Sequence, residues 1–320
     1  MPEKKEIKNI EDLPGVGEKV AEKLKKAGYL DMMAIAAASP KELIEVAELG
    51  EETSSKIILA AREALDIGFE SATKVLEKKA KVIKITTGSK NFDGLLGGGV
   101  ETGNTYECHG AFSSGKSQVA HQLAVTVQLP EGKGGAGGGC LFIDTEGTFS
   151  PTRIEQMAKA VKLDPKKVLE NIQVGRAYNA DHQCLLVEKA SEMIKPKNIK
   201  LIVLDSVTAL FRTDYSGRGE LASRQQKLNR HLHALQRLAD VYGVAVYLTN
   251  QVMANPAMMY GDPTTPIGGH IMGHFAGVRC YLRKSKGANR IARMIDAPNL
   301  PEGECVFTVT EKGLGDPEEE

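Results

Sequence analysis

The stretch Gly110-Ala111-Phe112-Ser113-Ser114-Gly115-Lys116-Ser117 satisfies every fixed position of the phosphate-binding loop pattern G-x-x-x-x-G-K-[ST]. A β-prone run, Thr105–Cys108, precedes the loop, and a helical pattern, Lys116–Gln128, follows it. Small residues let such a loop curl round a polyphosphate with its backbone N–H groups pointing inward. A chance match in a glycine-rich turn is the alternative, but the flanking strand and helix favour a nucleotide site.

Two side chains of the loop carry specific predictions. Lys116 is expected to reach the β- and γ-phosphates of ATP, and the Ser117 hydroxyl to hold Mg²⁺. About 90 residues downstream, the apolar run Leu201-Ile202-Val203-Leu204 ends in Asp205. A carboxylate at the end of a central strand faces the ligand crevice of an open α/β sheet. Asp205 is therefore predicted to hold the Mg²⁺ shell through water.

Two further strands end in polar residues. Cys140–Asp144 leads to Glu146, the candidate base that orients the attacking water; a surface acid on a loop is the alternative. Leu248-Thr249 leads to Gln251, whose amide is placed to sense the γ-phosphate; a capping amide is the alternative.

Composition sets wider bounds. The chain has 320 residues and no net formal charge, with 41 basic and 41 acidic side chains, so DNA binding would need local basic clusters. No apolar run approaches the length of a membrane span, so no membrane association is expected, and the charged N-terminus lacks the apolar core of a signal peptide. The five scattered cysteines show no metal spacing and are typical of reduced, mostly buried thiols in a cytoplasmic protein.

The chain is predicted to divide into three parts. Residues 1–67 are helical in pattern, residues 68–81 form a charged linker, and residues 82–320 alternate strands with helices. That alternation indicates an α/β core with a central, mostly parallel sheet. In the first part, Ser39 begins a capping box with Pro40 at the first helical position.

The turn Leu13-Pro14-Gly15-Val16-Gly17 indicates a helix-hairpin-helix unit. Such a turn can offer backbone N–H groups to a DNA phosphate, but it also serves as a structural turn or a protein contact. Because residues 1–67 carry 10 basic and 14 acidic side chains, both interpretations stay open.

Three loops differ in character. Arg212, Arg218 and Arg224 lie in or beside a glycine-bearing loop that precedes a long helix, Glu220–Tyr242; they suit single-stranded DNA phosphates, although a solvated basic loop is the alternative. Met253–Gly269 is long and aperiodic, which is typical of a functional loop or of a disordered one. Pro130–Gly139 consists largely of small residues and is expected to be a flexible surface loop.

Taken together, these motifs resemble those of the RecA-type recombinases, in particular their archaeal RadA branch. The resemblance extends over nearly the whole chain. The stretches that carry it are Leu13–Gly17, Gly110–Gln118, Ile143–Phe149, Phe211–Gln225, Thr249–Val252, Pro266–His270 and Ile295–Pro301. It implies a RecA-like core that forms ATP-dependent filaments or rings, binds single- and double-stranded DNA beside the nucleoid, and exchanges strands.

The resemblance also assigns residues. The phosphate loop comprises Gly110, Ser113, Ser114, Gly115, Lys116, Ser117 and Gln118. Arg153 stacks on adenine, and Asp296 and Pro298 cap ATP bound to the next subunit. Glu146 is the catalytic glutamate, and Gln251 is the γ-phosphate sensor. The DNA-binding loops contain Arg212 and Arg218, and Met253–Gly269 with Gly268 and Gly269; His274 links the second loop to the γ-phosphate. Phe69 and Ala72 match the F-x-x-A polymerisation motif, whose phenylalanine fills a neighbour's pocket.

Some positions depart from the family pattern. Ala111, Ser113, Ser117, Ser150 and Pro256–Met259 differ from the common residues, which bears on turnover and DNA affinity. Two other functions compete with recombination: a regulatory RecA-fold paralogue that does not exchange strands, and a binding module with an inert nucleotide fold.

Overall fold

A turn and four helices form the core of the N-terminal unit in the computed structural model, which describes residues 7, 9–215, 217–254, 264–273 and 275–318. The chain separates into two compact units, residues 1–81 with 188–193, and residues 82–187 with 194–320. The helices of the first unit are α1 (Glu18–Lys26), α2 (Met32–Ala36), α3 (Pro40–Ala47), α4 (Glu51–Ala64) and α5 (Ala72–Lys79).

Local signals in the sequence explain where these helices begin. The predicted capping box is present, since Glu42 N–H donates to Ser39 Oγ at 3.3 Å and Ser39 N–H to Glu42 Oε2 at 2.7 Å. The hairpin turn before α1 places Gly15 at φ +87°, a conformation that favours glycine. Fully buried side chains close the small core: Leu24, Ile35, Leu43 and Ile57.

The predicted linker contains α5, which has no buried residue and whose N-cap is Ser71. Phe69, just before it, is 111% exposed, and Ala72 is exposed as well. Ile67, just before the linker, and Leu76 within it are also exposed, and several exposed apolar side chains close together in sequence are typical of an interaction site.

The second unit is built on a large sheet. Its strands are β3 (Thr105–Gly110), β4 (Gly139–Asp144), β5 (Ile172–Arg176), β6 (Ile199–Asp205), β7 (Ala245–Ala254), β8 (Thr264–Pro266), β9 (Val278–Lys284), β10 (Asn289–Asp296), β11 (Glu304–Thr310) and β12 (Gly313–Gly315). A separate small ladder pairs β1 (Lys84–Ile85) with β2 (Val100–Glu101). The order β12-β11-β10-β9-β3-β7-β6-β4-β5 is parallel from β9 to β5, which confirms the predicted mostly parallel sheet.

Helices connect the strands. They are α6 (Lys90–Leu95), α7 (Lys116–Thr126), α8 (Pro151–Ala160), α9 (Pro165–Glu170), α10 (Ala180–Ile194), α11 (Ala209–Asp214), α12 (Leu221–Tyr242) and α13 (Gly269–Gly273). Helix α7 is buried from Val119 to Thr126, as expected for a helix packed between the sheet and other elements. Cys108, Cys140 and Cys280 are buried, and none of the five cysteines, all of them described, forms a disulfide.

The structure corrects two expectations. Residues 130–133 of the glycine-rich segment are exposed, but its second half is packed: a Cβ at Gly135 would lie 2.0 Å from Leu129 O, and Ala136 N–H donates to Val127 O at 2.9 Å. The predicted loop Met253–Gly269 begins and ends as a hairpin, because β7 continues to Ala254 and pairs with β8. Residues 255–263 lie outside the described part of the chain.

One buried histidine makes the fold sensitive to acid. The His231 ring packs against Phe211 at 5.5 Å between centroids, and its Nε2 accepts a hydrogen bond from the Gln183 amide at 3.0 Å. Burial lowers the pKa of His231 from 6.5 to about 3. Between these two values the unfolded chain binds a proton that the folded chain excludes, so stability falls as the pH falls through that window.

We predict that His231→Leu removes this dependence. The variant's free energy of unfolding should decline less steeply than that of the wild type between about pH 6 and 4, by roughly 1.4 kcal/mol per pH unit for one proton. Urea unfolding at several pH values measures both slopes, with His233→Leu on the exposed side of the same helix as the matched control. Parallel slopes in the wild type and His231→Leu would show that another group controls the acid transition.

Candidate active site

The phosphate-loop pattern lies where β3 ends and α7 begins, at Gly110 and Lys116. A Cβ on Gly110 would lie 2.1 Å from Leu282 O on the neighbouring strand, so no larger residue fits there. Gly115 at φ +104° and Ser113 at φ +59° turn the backbone sharply round the N-terminus of α7. A tight, glycine-lined turn at a helix N-terminus fits a polyphosphate.

Lys116 lies inside this turn. Its Nζ donates to Gly110 O at 2.8 Å and to Ala111 O at 3.0 Å. Burial lowers the pKa of Lys116, while the nearby carboxylates of Asp205 and Glu146 act in the opposite direction. The ammonium group is therefore held between the loop carbonyls and two acidic side chains, where a phosphate could replace its carbonyl partners.

Asp205 is 2% exposed at the end of β6 and is held by hydroxyl groups. The Thr249 hydroxyl donates to its Oδ1, and the Thr148 hydroxyl to its Oδ2 at 3.4 Å. In register, Asp205 lies opposite Asp144 at the end of β4, so both strands bring a carboxylate to the same edge of the sheet.

Asp144 organises the loop that carries Glu146. Its Oδ1 accepts the N–H groups of Glu146 at 3.1 Å, Gly147 at 2.7 Å and Thr148 at 3.2 Å, and its Oδ2 accepts that of Phe149 at 3.2 Å. Arg176 Nη1 adds a contact to Oδ1 at 3.3 Å. One buried carboxylate therefore fixes the backbone that orients the predicted catalytic base.

The predicted sensor meets the predicted base directly. Gln251 Nε2 donates to Glu146 Oε1 at 2.6 Å. Gln251 lies opposite Gly110 in the pairing of β3 with β7, so the amide sits beside the phosphate loop. The structure thus brings Lys116, Glu146, Asp205 and Gln251, which come from separate parts of the sequence, to one edge of the sheet.

Arg153 lies on α8, where Ser150 Oγ caps the helix by accepting Arg153 N–H at 3.3 Å. Its guanidinium donates to Gln118 Oε1 at 2.8 Å and to Glu311 O at 2.6 Å. Gln118 is thereby tied to Arg153 next to the phosphate-loop helix. Ser150 N–H also donates to His121 Nε2 at 3.0 Å, a backbone contact, whereas the Oγ cap is the contact that depends on the serine side chain.

Asp296 and Pro298 do not join this group within the chain. Strand β10 runs antiparallel to β9. At the start of β10, Arg290 Nε donates to Ser113 O at 3.1 Å. At its end, Asp296 lies opposite Arg279 in the strand register. Both Asp296 and Pro298 are exposed, and through Arg279 the strand pairing places Asp296 level with Glu107 in β3 rather than with Gly110. No hydrogen bond between the described residues joins either of them to this chain's own phosphate loop, and the predicted role at a neighbour's loop remains a prediction.

The predicted DNA-contacting residues lie downstream of Asp205 and Gln251. Arg212 is exposed on α11, Arg224 lies near the start of α12, and Arg218 begins a three-residue 3₁₀ turn of which only the backbone is described. Gly268 and Gly269 have φ values of +104° and +61° after β8, and Gln225 Nε2 donates to Gly268 O at 3.4 Å. Ser216 and His274 lie outside the described residues.

The sequence interpretation missed the roles of the polar groups behind the site. Asp144, His121 and Asn250 are buried and hydrogen-bonded to residues that it did identify. A polar residue inside an otherwise apolar strand or helix was the available signal. No group of three or more His, Cys, Asp or Glu side chains within the described residues could hold a metal. Mg²⁺ would therefore need phosphate oxygens beside Ser117 and Asp205.

We expect Asp144→Asn to loosen the Glu146 loop. The amide keeps one acceptor oxygen and turns an NH₂ group towards backbone donors, which leaves at least one buried N–H unpaired. The free energy of unfolding should fall by about 1–3 kcal/mol, and hydrolysis of bound nucleotide should slow while nucleotide binding persists. Urea unfolding and single-turnover hydrolysis test this, with Asp164→Asn, which caps the surface helix α9, as the control. Unchanged single-turnover hydrolysis would contradict a positioning role.

Comparison with known proteins places the chain in a family. Residues 78–317 match the Rad51 family and residues 7–63 match the SAM-like helix-hairpin-helix tandem, which confirms the predicted N-terminal domain type. Within the described part of the chain, every helix is too short or too polar to cross a membrane.

Two curated relatives extend this match along the chain. A DNA repair and recombination protein RadA from Aeropyrum pernix is 56% identical over 316 residues, 99% of each chain. A protein of the same description from Metallosphaera sedula is 54% identical over 318 residues, 99% of this chain and 98% of the relative. The resemblance to the archaeal RadA branch is therefore confirmed, and the chain belongs to the Rad51 family.

Proposed function

We propose that this chain is a DNA-dependent ATPase that assembles on single-stranded DNA, pairs it with a homologous duplex and exchanges strands, acting in the cytoplasm beside the nucleoid. The direct contact between Gln251 and Glu146, at the point where β7 leads into the second DNA-facing segment, carries this proposal. The description of both relatives as DNA repair and recombination proteins supports it.

The residues divide the work of hydrolysis. Bound ATP with Mg²⁺ would supply the γ-phosphoryl group that is transferred to water. The N–H groups of the phosphate loop and Lys116 would hold the polyphosphate, and Ser117 and Asp205 the metal. Glu146 Oε accepts a proton from the attacking water. Arg153 is suited to lie against the adenine, because Gln118 and the carbonyls of Thr310 and Glu311 fix its guanidinium plane.

DNA contact is assigned to two segments, which follow the carboxyl ends of β6 and β7. Arg212, Arg218 and Arg224 would neutralise backbone phosphates, an interaction that does not depend on base sequence. In the second segment, Gly268 and Gly269 would let backbone N–H groups come close to the DNA. The hairpin Leu13–Gly17 would either contact duplex phosphates or serve a protein contact.

Assembly is assigned to Phe69 and Ala72. In the sheet order given by the described residues β5 is one of the two outermost strands, and its Val174 side chain is 46% accessible, while Leu185 on the following helix α10 is 43% accessible. An extended segment around Phe69 could add to this edge while the ring is buried among such side chains. A second subunit would also bring Asp296 and Pro298 to the site from outside.

The competing functions explain less. A regulatory paralogue would not need an F-x-x-A motif, an arginine loop and a helix-hairpin-helix domain together, and the relatives described as recombination proteins match nearly end to end. An inert nucleotide fold would not require a carboxylate held against Gln251 beside a buried lysine.

The first test is chemical. Glu146→Gln should bind nucleotide with unchanged affinity and lose hydrolysis, since an amide cannot accept the proton, and loss of a catalytic base typically costs 10²–10⁴-fold. Phosphate release with and without single-stranded DNA measures this, beside a nucleotide-binding titration and Lys116→Ala as the control that loses binding. Wild-type hydrolysis that does not rise with DNA would favour the regulatory paralogue, and no hydrolysis at all the inert module.

The second test concerns assembly. Phe69→Glu should give monomers with an intact fold, because loss of a buried anchor costs about 2 kcal/mol or more at each interface. Light scattering and circular dichroism measure both properties. Leu59→Glu, which alters another exposed apolar side chain in the same unit, is the matched control. Assemblies of undiminished size in Phe69→Glu would remove the motif from its role.

A further inference from the structure

A fully buried carboxylate lies beneath the site without taking part in it. Glu107, on β3 three residues before Gly110, is 0% exposed. Its Oε2 accepts from Arg279 Nε at 2.6 Å and its Oε1 from Asn250 Nδ2 at 2.7 Å. Burying a charge is costly unless its partners compensate. Both partners are therefore needed, and one of them lies directly before Gln251.

Asn250 is also fully buried, and its amide joins three parts of the chain. Besides donating to Glu107, Nδ2 donates to Ile267 O at 2.7 Å. Oδ1 accepts from the Thr208 hydroxyl at 2.7 Å. Thr208 precedes α11, which carries Arg212, and Ile267 precedes Gly268 and Gly269. One side chain thus touches the base of both predicted DNA-contacting segments.

The backbone strengthens this junction. Ile267 N–H donates to Gln251 O at 3.0 Å, so both backbone polar groups of Ile267 are held by two consecutive residues of β7. The Gln251 side chain meanwhile contacts Glu146. These contacts would transmit a movement of Gln251 to Ile267 and, through Asn250, to Thr208.

The orientation of the Asn250 amide is set by Glu107. A carboxylate only accepts hydrogen bonds, so it requires NH₂ on the side of Glu107 and leaves the amide oxygen facing Thr208. With the amide reversed, Ile267 O and Glu107 would both face oxygen. Glu107 thereby makes one of the two amide orientations much more stable than the other.

We propose that Asn250, oriented by Glu107, is a positioning residue that couples the two DNA-contacting segments to each other and to the nucleotide site. This inference rests on the proposed function, since it concerns how nucleotide binding changes DNA affinity. The quantity that reports it is the coupling ratio, defined as the affinity for single-stranded DNA with a non-hydrolysable ATP analogue divided by the affinity without it.

The variants Asn250→Asp, Glu107→Gln and Thr208→Val each remove a bond of the junction and conserve shape. Asn250→Asp loses both donors, Glu107→Gln presents an NH₂ group to Asn250, and Thr208→Val removes the donor to Oδ1. We expect the coupling ratio to fall by about tenfold in Asn250→Asp and by a smaller factor in the other two. Nucleotide affinity without DNA should stay within about twofold in Glu107→Gln and Thr208→Val.

Fluorescence anisotropy with a labelled single-stranded oligonucleotide and the β,γ-imido analogue of ATP measures the ratio in the full-length chain. Val168→Ala, a buried change on α9 away from the junction, is the control for general destabilisation. Glu107 and Thr208 bond to the same amide. The coupling ratio of the double variant Glu107→Gln/Thr208→Val should therefore be no lower than that of whichever single variant has the lower ratio. If the two substitutions acted only through general destabilisation, each single variant would lower the ratio no more than Val168→Ala does, and the double variant would show the product of the two small effects.

The outcomes separate the two proposals. A large wild-type ratio that persists in Glu107→Gln and Thr208→Val overturns the coupling role and leaves the proposed function intact. A wild-type ratio near one overturns the proposed function and this inference with it. If Asn250→Asp does not fold, the double variant still decides the question.

Discussion

The parallel alignment of β3, β7, β6 and β4 is the constraint on which the site depends. Parallel strands finish at the same edge of a sheet, so Gly110, Gln251, Asp205 and Asp144 converge although they are far apart in sequence. Gly110 shows how tight this alignment is, because a single added carbon would collide with the carbonyl of Leu282 on β9. At this point the neighbouring strand leaves space for a glycine backbone and for no side chain, so the phosphate loop must begin with glycine.

Beneath that edge several polar side chains are buried, and the carboxylates among them have specific partners. Asp144 binds a run of backbone N–H groups, Asp205 binds two threonine hydroxyls, and Glu107 binds Arg279 and Asn250. Such networks stabilise a fold only when they are complete, and when complete they fix side-chain orientation. The same bonds that make burial of these carboxylates possible therefore also position Glu146 and Gln251.

His121 shows how a buried histidine takes part in these contacts. His121 joins the phosphate-loop helix to the Glu146 loop, since its Nδ1 lies 2.6 Å from Ser117 O and its Nε2 accepts Ser150 N–H. Burial lowers the pKa of His121, as it does for His109 and His231. A neutral ring can donate on one side and accept on the other, whereas a protonated ring could not accept from Ser150. Structural integrity near the site is thus tied to the uncharged form.

The sequence by itself determined the kind of fold and the residues that meet at its edge. The phosphate-loop pattern, the apolar strands ending in Asp205 and Asp144, and the capping box at Ser39 are local signals, and local backbone chemistry acts over a few residues. The tight packing in the second half of the Pro130–Gly139 segment, the pairing of β7 with β8, and the position of Asp296 away from its own chain's loop were decided only by tertiary structure. Tertiary structure also decided the contacts of Asn250 with Glu107, Thr208 and Ile267, and those of Asp144 with the backbone of the Glu146 loop. Each of these depends on contacts between segments distant in sequence, where the partner of a buried polar group is chosen by the register of the sheet and leaves no periodic pattern to detect.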